Sequence, residues 1–416
     1  MFIKEIFAKK IKDSRGEKTI EIFLKTYEGK FSASAPSGKS VGKHEVPAYH
    51  EKGIEYSVKL LNAIGKKMKH KNFILKNIED LKLLKNFVGR FEGKYGRLGG
   101  NVHYALQTVF LKASAKKQNK ELWKFVHDDF GDGKKVKIPM PVGNCIGGGL
   151  HSARKGKDKY ELKPDFQEFL LIPNEKTFSR AVTKLVHAYN YSHALLKKEH
   201  GLLFKSLSRN DEGAWQTNLS NTNVLKILED VGKKFGVRIG LDVAASTFYE
   251  SGYYDYKNKN LVRDKTEQAE YIERLISDYG LFYVEDPMQE EDFSGFVEVL
   301  NAVKKMKRRS EPLIVGDDLT TTNLARVRRA FDAGAINAVI VKPNQIGDLI
   351  EVKRVCTFCK EKNIKIIFSH RSGETMDTAL SDFAVGFGAD FIKCGIHGRE
   401  RLIKLKRIMD IEKMGG

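Results

Sequence analysis

Six short apolar runs in the second half of the chain each stop on an ionisable residue. They are RIGL before Asp242, LFYV before Glu285, LIVG before Asp317, AVIV before Lys342, KIIFS before His370 and FI before Lys393. Successive members lie 43, 32, 25, 28 and 23 positions apart, each gap long enough for one strand and one helix. Parallel strands buried on both faces read as unbroken apolar runs, and reaching a parallel neighbour takes a crossover, usually helical. The series predicts a (β/α)8 barrel, whose strand ends converge on one face. Three carboxylates, two lysines and a histidine then share one cavity, the makings of a metal site with a general base.

Each residue type has a chemical reason to be there. Magnesium takes hard oxygen ligands and keeps waters or substrate oxygens, which suits Asp242, Glu285 and Asp317. Zinc would favour histidine and cysteine instead. A lone strand-end acid often caps the following helix. Three in a row beside Lys342 and Lys393 would be buried charges without a task. Lys342, near bound cations, is expected to have its protonated form disfavoured and to act as a base; the alternative is an ion pair with a ligand carboxylate. Removal of a proton beside a carboxylate leaves an unstable dianion, which metal cations stabilise. The combination points to enolate chemistry rather than hydrolysis.

Further candidates lie outside the six ends. Arg371 and Ser372, in SHRSGET, offer a planar fork and a hydroxyl for phosphate or carboxylate. QEFLLIP reads as the first barrel strand, with Glu168 directed into the cavity, where a raised pKa would make it a proton donor. NDEGAWQTN adds Asp211 and Glu212. The loop APSGKSVGKHE permits close backbone approach, and Ser40 can offer a hydroxyl to a metal or phosphate. GGGLH reads as a flexible hinge before His151.

At 416 residues the chain accommodates a barrel and a smaller domain. We expect an N-terminal α+β domain over residues 1–130 and a barrel over 131–416, with GDGKKVKIPMP as the linker. Strand-like runs KEIFAKKIKD, KTIEIFLKTY and KFSASAP precede a helical stretch. SARKGKDKYELKPD fits neither period and reads as a mobile loop. Four scattered cysteines fit a reducing compartment rather than a disulfide framework. CTFC, at Cys356 and Cys359, lacks a partner pair at zinc-finger spacing. Nothing approaches the ~20 apolar residues of a membrane helix, and no signal-peptide pattern opens the chain. The expectation is a soluble, cytoplasmic protein with no membrane partner. A formal net charge of +20 predicts attraction to anions, including non-specific, salt-sensitive binding of nucleic acid.

Taken together, these segments resemble enolase, phosphopyruvate hydratase, from end to end. DSRG, PSGKSVGKHE, GGGLH, QEF, DEG, LDVAAS, VEDP, GDDLTTTN, KPNQIG and SHRSGETMDT follow one another in the family's order. The resemblance implies an α/β fold, an N-terminal α+β domain packed on a ββαα(βα)6 barrel. It implies reversible dehydration of 2-phospho-D-glycerate to phosphoenolpyruvate, a step of glycolysis and gluconeogenesis, with two Mg2+ per active site. Asp242, Glu285 and Asp317 would hold the first, and Ser40 would help bind the second, which arrives with substrate. Lys342 would be the base, and Glu212, aided by Glu168, the acid. Lys393 would contact the substrate carboxylate, and Arg371 and Ser372 its phosphate. His151 and His370 would line the pocket, with Gln167 beside Glu168. A homodimer or larger homo-oligomer is expected.

The chain departs from the family's pattern in four places. Asn210, Ala214, Trp215, Gln216 and Thr217 change the loop that presents Glu212. The loop after His151 is longer than usual, Lys39 replaces a small residue, and Asp348 replaces a small hydroxyl residue. None removes a catalytic group. Two other readings stand beside the first: a divergent superfamily member acting on another phosphorylated or carboxylated acid, and a binding protein that holds RNA or an acidic partner on its basic surface.

Overall fold

The computed structural model describes residues 1–39, 42–131, 133, 135–152, 162–200, 207–306 and 311–415. Three antiparallel strands open the chain: β1 (Glu5–Lys12), β2 (Lys18–Lys25) and β3 (Lys30–Ser34), in that spatial order. Alternation sets their faces, so Ile20, Ile22 and Leu24 are buried while Glu21 and Phe23 are half-exposed. Helices Ile54–Met68 and Gly100–Lys117 pack against this sheet. Helices Leu81–Tyr95 and Leu122–Phe130 complete the N-terminal unit.

The remaining strands are β4 (Met140–Gly147), β5 (Glu168–Pro173), β6 (Trp215–Gln216), β7 (Val237–Asp242), β8 (Tyr249–Glu250), β9 (Tyr253–Tyr256), β10 (Leu261–Arg263), β11 (Tyr283–Glu285), β12 (Leu313–Gly316), β13 (Ala338–Val341), β14 (Lys365–Ser369) and β15 (Phe391–Lys393). Eight of them close a barrel, β4-β5-β7-β11-β12-β13-β14-β15, with β15 pairing back onto β4. β5 is antiparallel to both neighbours, and every other contact around the ring is parallel. Two helices, Phe178–His200 and Asn221–Phe235, separate β5 from β7, and a strand–helix rhythm follows. This is the expected ββαα(βα)6 order.

One expectation is corrected. QEFLLIP forms the second barrel strand, not the first; the first is β4, which begins inside the stretch read as linker. Its sequence MPVGNCIG mixes Pro, Gly and Asn with apolar residues, so it lacks the run that marks the others. Because β5 runs the opposite way, its start rather than its end reaches the mouth of the barrel. Glu168 therefore pairs in register with Asp242 at the end of β7.

Alternation explains why the charged ends share one cavity. Tyr283, Leu313, Val315, Ala338, Ile340, Ile367 and Phe391 form a buried cluster with Val142, Leu170 and Ile172 inside the barrel. Two residues beyond these inward positions, in the same register, come Glu285, Asp317, Lys342 and Lys393. On the reversed β5 the inward series runs Ile172, Leu170, Glu168.

The N-terminal unit reaches the barrel mouth through its loop. Ser37 and Gly373 exchange backbone hydrogen bonds of 2.7 and 2.8 Å, and Val46 N–H donates to the Gln345 carbonyl at 2.9 Å. A side chain at position 373 would collide with the Asp13 carboxylate, so glycine is required for this approach. Asp348 caps the helix Leu349–Glu361 through Ile350 N–H and pairs with Lys85 across the two units, which accounts for an acid after NQIG. Cys356 and Cys359 are buried in that helix, and burial pushes the Cys359 thiol up to about 12. Among the described residues no helix is long and apolar enough to cross a membrane.

Candidate active site

Lys393 is the centre of the buried charge. Its Nζ lies 2.9 Å from Glu168 Oε2, 2.8 Å from Asp242 Oδ2 and 2.8 Å from Glu285 Oε2. Tyr283 Oη donates to Glu285 at 2.6 Å, and Gln167 Nε2 to Asp242 at 3.2 Å. Burial pushes the Asp242 and Glu285 carboxyls up, Glu285 strongly, against the pull of Lys393. The Lys393 ammonium is itself disfavoured by burial, but Asp242, Glu168 and Glu285 together hold it well above the ordinary lysine value.

Lys342 pairs with Asp317, whose other oxygen accepts from Gln345 Nε2 at 3.2 Å. Burial disfavours the Lys342 ammonium, yet the Asp317 carboxylate overcomes this and raises its pKa. The same pairing outweighs burial at Asp317 and lowers its pKa. The alternative reading of this lysine, an ion pair with a ligand carboxylate, is the one the protein's own residues make, with Asp317 as the partner. Beside it, Asp286 accepts from the N–H groups of Asp317 and Asp318 at 3.0 and 2.7 Å. Burial and Asp317 push Asp318 up to about 7. Asp286 and Asp318 were missed in the sequence, although both sit in the VEDP and GDDLTTTN segments.

Glu212 lies across the cavity. Its Oε2 accepts from Asn144 Nδ2 at 3.0 Å and stands 3.6 Å from His370 Nε2. Glu168, Glu212 and His370 each offer an atom within 4.8 Å of the others. Burial, with Arg401, pushes the His370 imidazole well below its usual value, so it is neutral at pH 7. Asn144 was not foreseen, because it belongs to β4, the strand without an apolar run.

Arg371 makes a two-pronged pair with Glu45, at 2.9 and 3.1 Å. Ser372 Oγ accepts from Arg15 at 3.2 Å, and Arg15 also donates to Ser37 Oγ at 2.9 Å. Glu45 and Arg15 were likewise not singled out, although PSGKSVGKHE and DSRG contain them. Lys39 reaches across to Asp211, at 2.8 Å. Ser40, residues 153–161 of the long loop and the side chain of His151 lie outside the described residues; residues Gly149–Ser152 form a 3-10 turn where a flexible hinge was expected. One narrow polar cleft is lined by Gln167, Glu168, Glu212, Asp242, Lys342, His370, Arg371, Ser372 and Lys393, together with Gly38, Lys39, Glu45, Asp318 and Ser369.

The donor set fits a hard divalent cation. Four carboxyl groups, Glu168, Asp242, Glu285 and Asp317, gather around two lysines. Gln167 Oε1, buried at the same cleft, has no hydrogen-bond partner among the described residues. All these donors are oxygen, as magnesium or a similar ion requires.

Fold and site together define an α/β-barrel protein with a small N-terminal unit and a cleft of buried carboxyl, lysine and histidine groups at the barrel mouth. Residues 3–126 match the enolase N-terminal domain and residues 135–416 the enolase C-terminal TIM barrel domain. The chain is 36% identical to an enolase of Thermoplasma acidophilum over 419 residues, 99% of this chain and 98% of that one. It is 35% identical to an enolase of Pyrobaculum aerophilum (99% and 96%) and 34% identical to one of Methanosphaera stadtmanae (99% and 97%). The chain belongs to the enolase family. It is an enzyme of that family, and membership implies a divalent metal and a small phosphorylated substrate.

Proposed function

We propose that the protein catalyses the reversible, magnesium-dependent dehydration of 2-phospho-D-glycerate to phosphoenolpyruvate. The observation that carries this reading is one connected set of buried groups at the barrel mouth, in which Glu168 joins the lysine–carboxylate cluster of Lys342, Lys393, Asp242, Glu285 and Asp317 to Glu212 and His370. One side suits proton removal and the other suits proton delivery.

Asp242, Glu285 and Asp317 would hold the first magnesium, and Ser40 would help hold a second that comes with substrate. Bound there, the metal stabilises the negative charge that builds on the substrate carboxylate. Lys342 Nζ takes the proton from C2. A cation held by Asp317 would compete with Lys342 for that carboxylate and so favour the neutral lysine. The C3–O bond breaks as Glu212, aided by Glu168, gives a proton to the departing hydroxyl; a C2=C3 double bond forms and water leaves. Neutral His370 and Asn144 keep the Glu212 carboxyl oriented. Lys393 contacts the substrate carboxylate. Arg371 exchanges Glu45 for the substrate phosphate, with Ser372 and Arg15 beside it.

Growth of phosphoenolpyruvate absorbance from 2-phosphoglycerate tests the reading. Glu212→Gln and Lys342→Ala should each lose at least ~100-fold in kcat, the usual contribution of a positioned acid or base. A parent protein no faster than these two variants would sink it. The altered loop still buries Glu212 against Asn144, which favours this reading over a different acid substrate.

A further inference from the structure

The loop that presents Glu212 departs from the family's pattern, and three of its departures, Asn210, Ala214 and Trp215, join one contact network. We propose that Trp215, Tyr189 and Arg209 form a clamp that positions Glu212 for proton delivery, making them positioning residues of this active site. The proposal rests on the role given to Glu212 above.

Trp215 is almost fully buried and begins β6, which pairs with β4 at Ile146. Its ring stacks on Tyr189 at 5.0 Å and 17°, with His193 at 4.2 Å. The Arg209 guanidinium sits 4.0 Å from the indole. Indole Nε1 donates to the Tyr189 carbonyl at 3.1 Å. So far this is core packing of aromatic residues, and it would hold any β6 in place.

The hydroxyl of Tyr189 does something more specific. It donates to the Gly213 carbonyl at 2.6 Å, one residue beyond Glu212, and accepts from Arg209 Nε at 2.9 Å. On the other side, Asn210 Oδ1 accepts from the N–H groups of Glu212 and Ala214, both at 3.0 Å. The backbone at Glu212 is therefore gripped from before and after. Gly213 has φ +82°, and a Cβ there would lie 2.6 Å from the His397 carbonyl, so the loop is also wedged against the segment after β15. A carboxylic acid delivers a proton efficiently only from a fixed place, and a displacement of about 1 Å can cost on the order of 100-fold. The clamp supplies that fixity through helix Phe178–His200 rather than through substrate.

Tyr189→Phe keeps the ring stack and deletes both hydroxyl bonds. Arg209→Met removes the cation at an exposed position and is a second, independent perturbation that leaves the core intact. Two readouts are needed. The first separates the two proton steps: exchange of the C2 hydrogen of 2-phosphoglycerate with solvent needs only the base, whereas phosphoenolpyruvate formation also needs the acid. The second is deuterium exchange of the peptide spanning residues 207–218, which reports the loop whatever the activity.

In both variants kcat for dehydration should fall roughly tenfold, while KM and C2 exchange stay within about twofold. Amide exchange in 207–218 should quicken by roughly tenfold or more. A faster-exchanging loop with unchanged kcat would overturn the clamp, as would unchanged amides, or dehydration and C2 exchange falling together. A parent protein that forms no phosphoenolpyruvate would instead refute the proposed reaction, and the amide measurement would still decide whether the loop is clamped.

Discussion

Replacing Lys393 with methionine removes the ammonium that Glu168, Asp242 and Glu285 share, at a site where all four side chains are at most 4% exposed. Breaking a buried pair by deleting one partner costs about 3–5 kcal/mol. A carboxylate left there can escape by binding a proton. From an ordinary glutamate pKa near 4.3, doing so at pH 7 costs about 3.7 kcal/mol, at 1.36 kcal/mol per unit. The two figures agree, so a loss of about 4 kcal/mol is expected, and a thermal midpoint lower by about 6–10 °C at roughly 2 °C per kcal/mol for a domain of this size. The pH dependence has a definite sign. Asp242 and Glu285 already have raised folded-state values, and losing Lys393 raises them further. The stability of such groups is fully present below the unfolded pKa and is lost as pH rises toward the folded one. The deficit should therefore shrink by about 1.4 kcal/mol per pH unit below 7. Melting curves of parent and variant at pH 7 and pH 5 measure this, and magnesium should narrow the gap by mass action. A midpoint within about 2 °C of the parent at pH 7, or a deficit that grows in acid, would refute the reasoning.

Other perturbations follow the same physics. Gly213→Ala forces a side chain into a positive-φ position beside the His397 carbonyl, and should cost about 1–3 kcal/mol in denaturant melts along with a fall in kcat. Lys39→Ala removes a half-exposed pair with Asp211, so stability should change by less than about 1 kcal/mol, while the salt dependence of KM weakens. Lys112→Met breaks a half-buried pair with Asp377, which also accepts from Ser34 N–H and ties the two units together. Lys112 outweighs burial and lowers the Asp377 pKa, so its contribution is present above the unfolded value and is lost as pH falls through the folded one. The variant should lose about 2 kcal/mol at pH 7 and approach the parent below pH 4, as read by acid-dependent melts.

The barrel was legible because β11, β12 and β13 are buried on both faces, which leaves a purely apolar run closed by a charge. The same signal is absent from β4, whose Pro141, Gly143 and Asn144 break the run, so the sequence points to β5 as the first strand and gives no sign of Asn144. His370 was found for a reason the structure qualifies: by alternation the inward residue of β14 beyond Ile367 is Ser369, and His370 reaches the cleft as the chain leaves the strand. Pairings between distant loops have no local signature. Glu45 and Arg371 are 326 positions apart, and Tyr189 meets Gly213 from the middle of a helix. Lys342 shows the limit of reasoning from residue type alone. A lysine at a strand end suggests a base, but its protonation depends on which carboxylate it touches, and that is Asp317.

The central claim is that the charged strand ends and Glu212 form one magnesium-dependent active site. The most direct test is the rate of phosphoenolpyruvate formation from 2-phosphoglycerate by the purified protein, with magnesium and again after chelation. The account predicts turnover with magnesium that collapses on chelation and returns when the ion is restored. No turnover with magnesium present, or an equal rate after chelation, would contradict it.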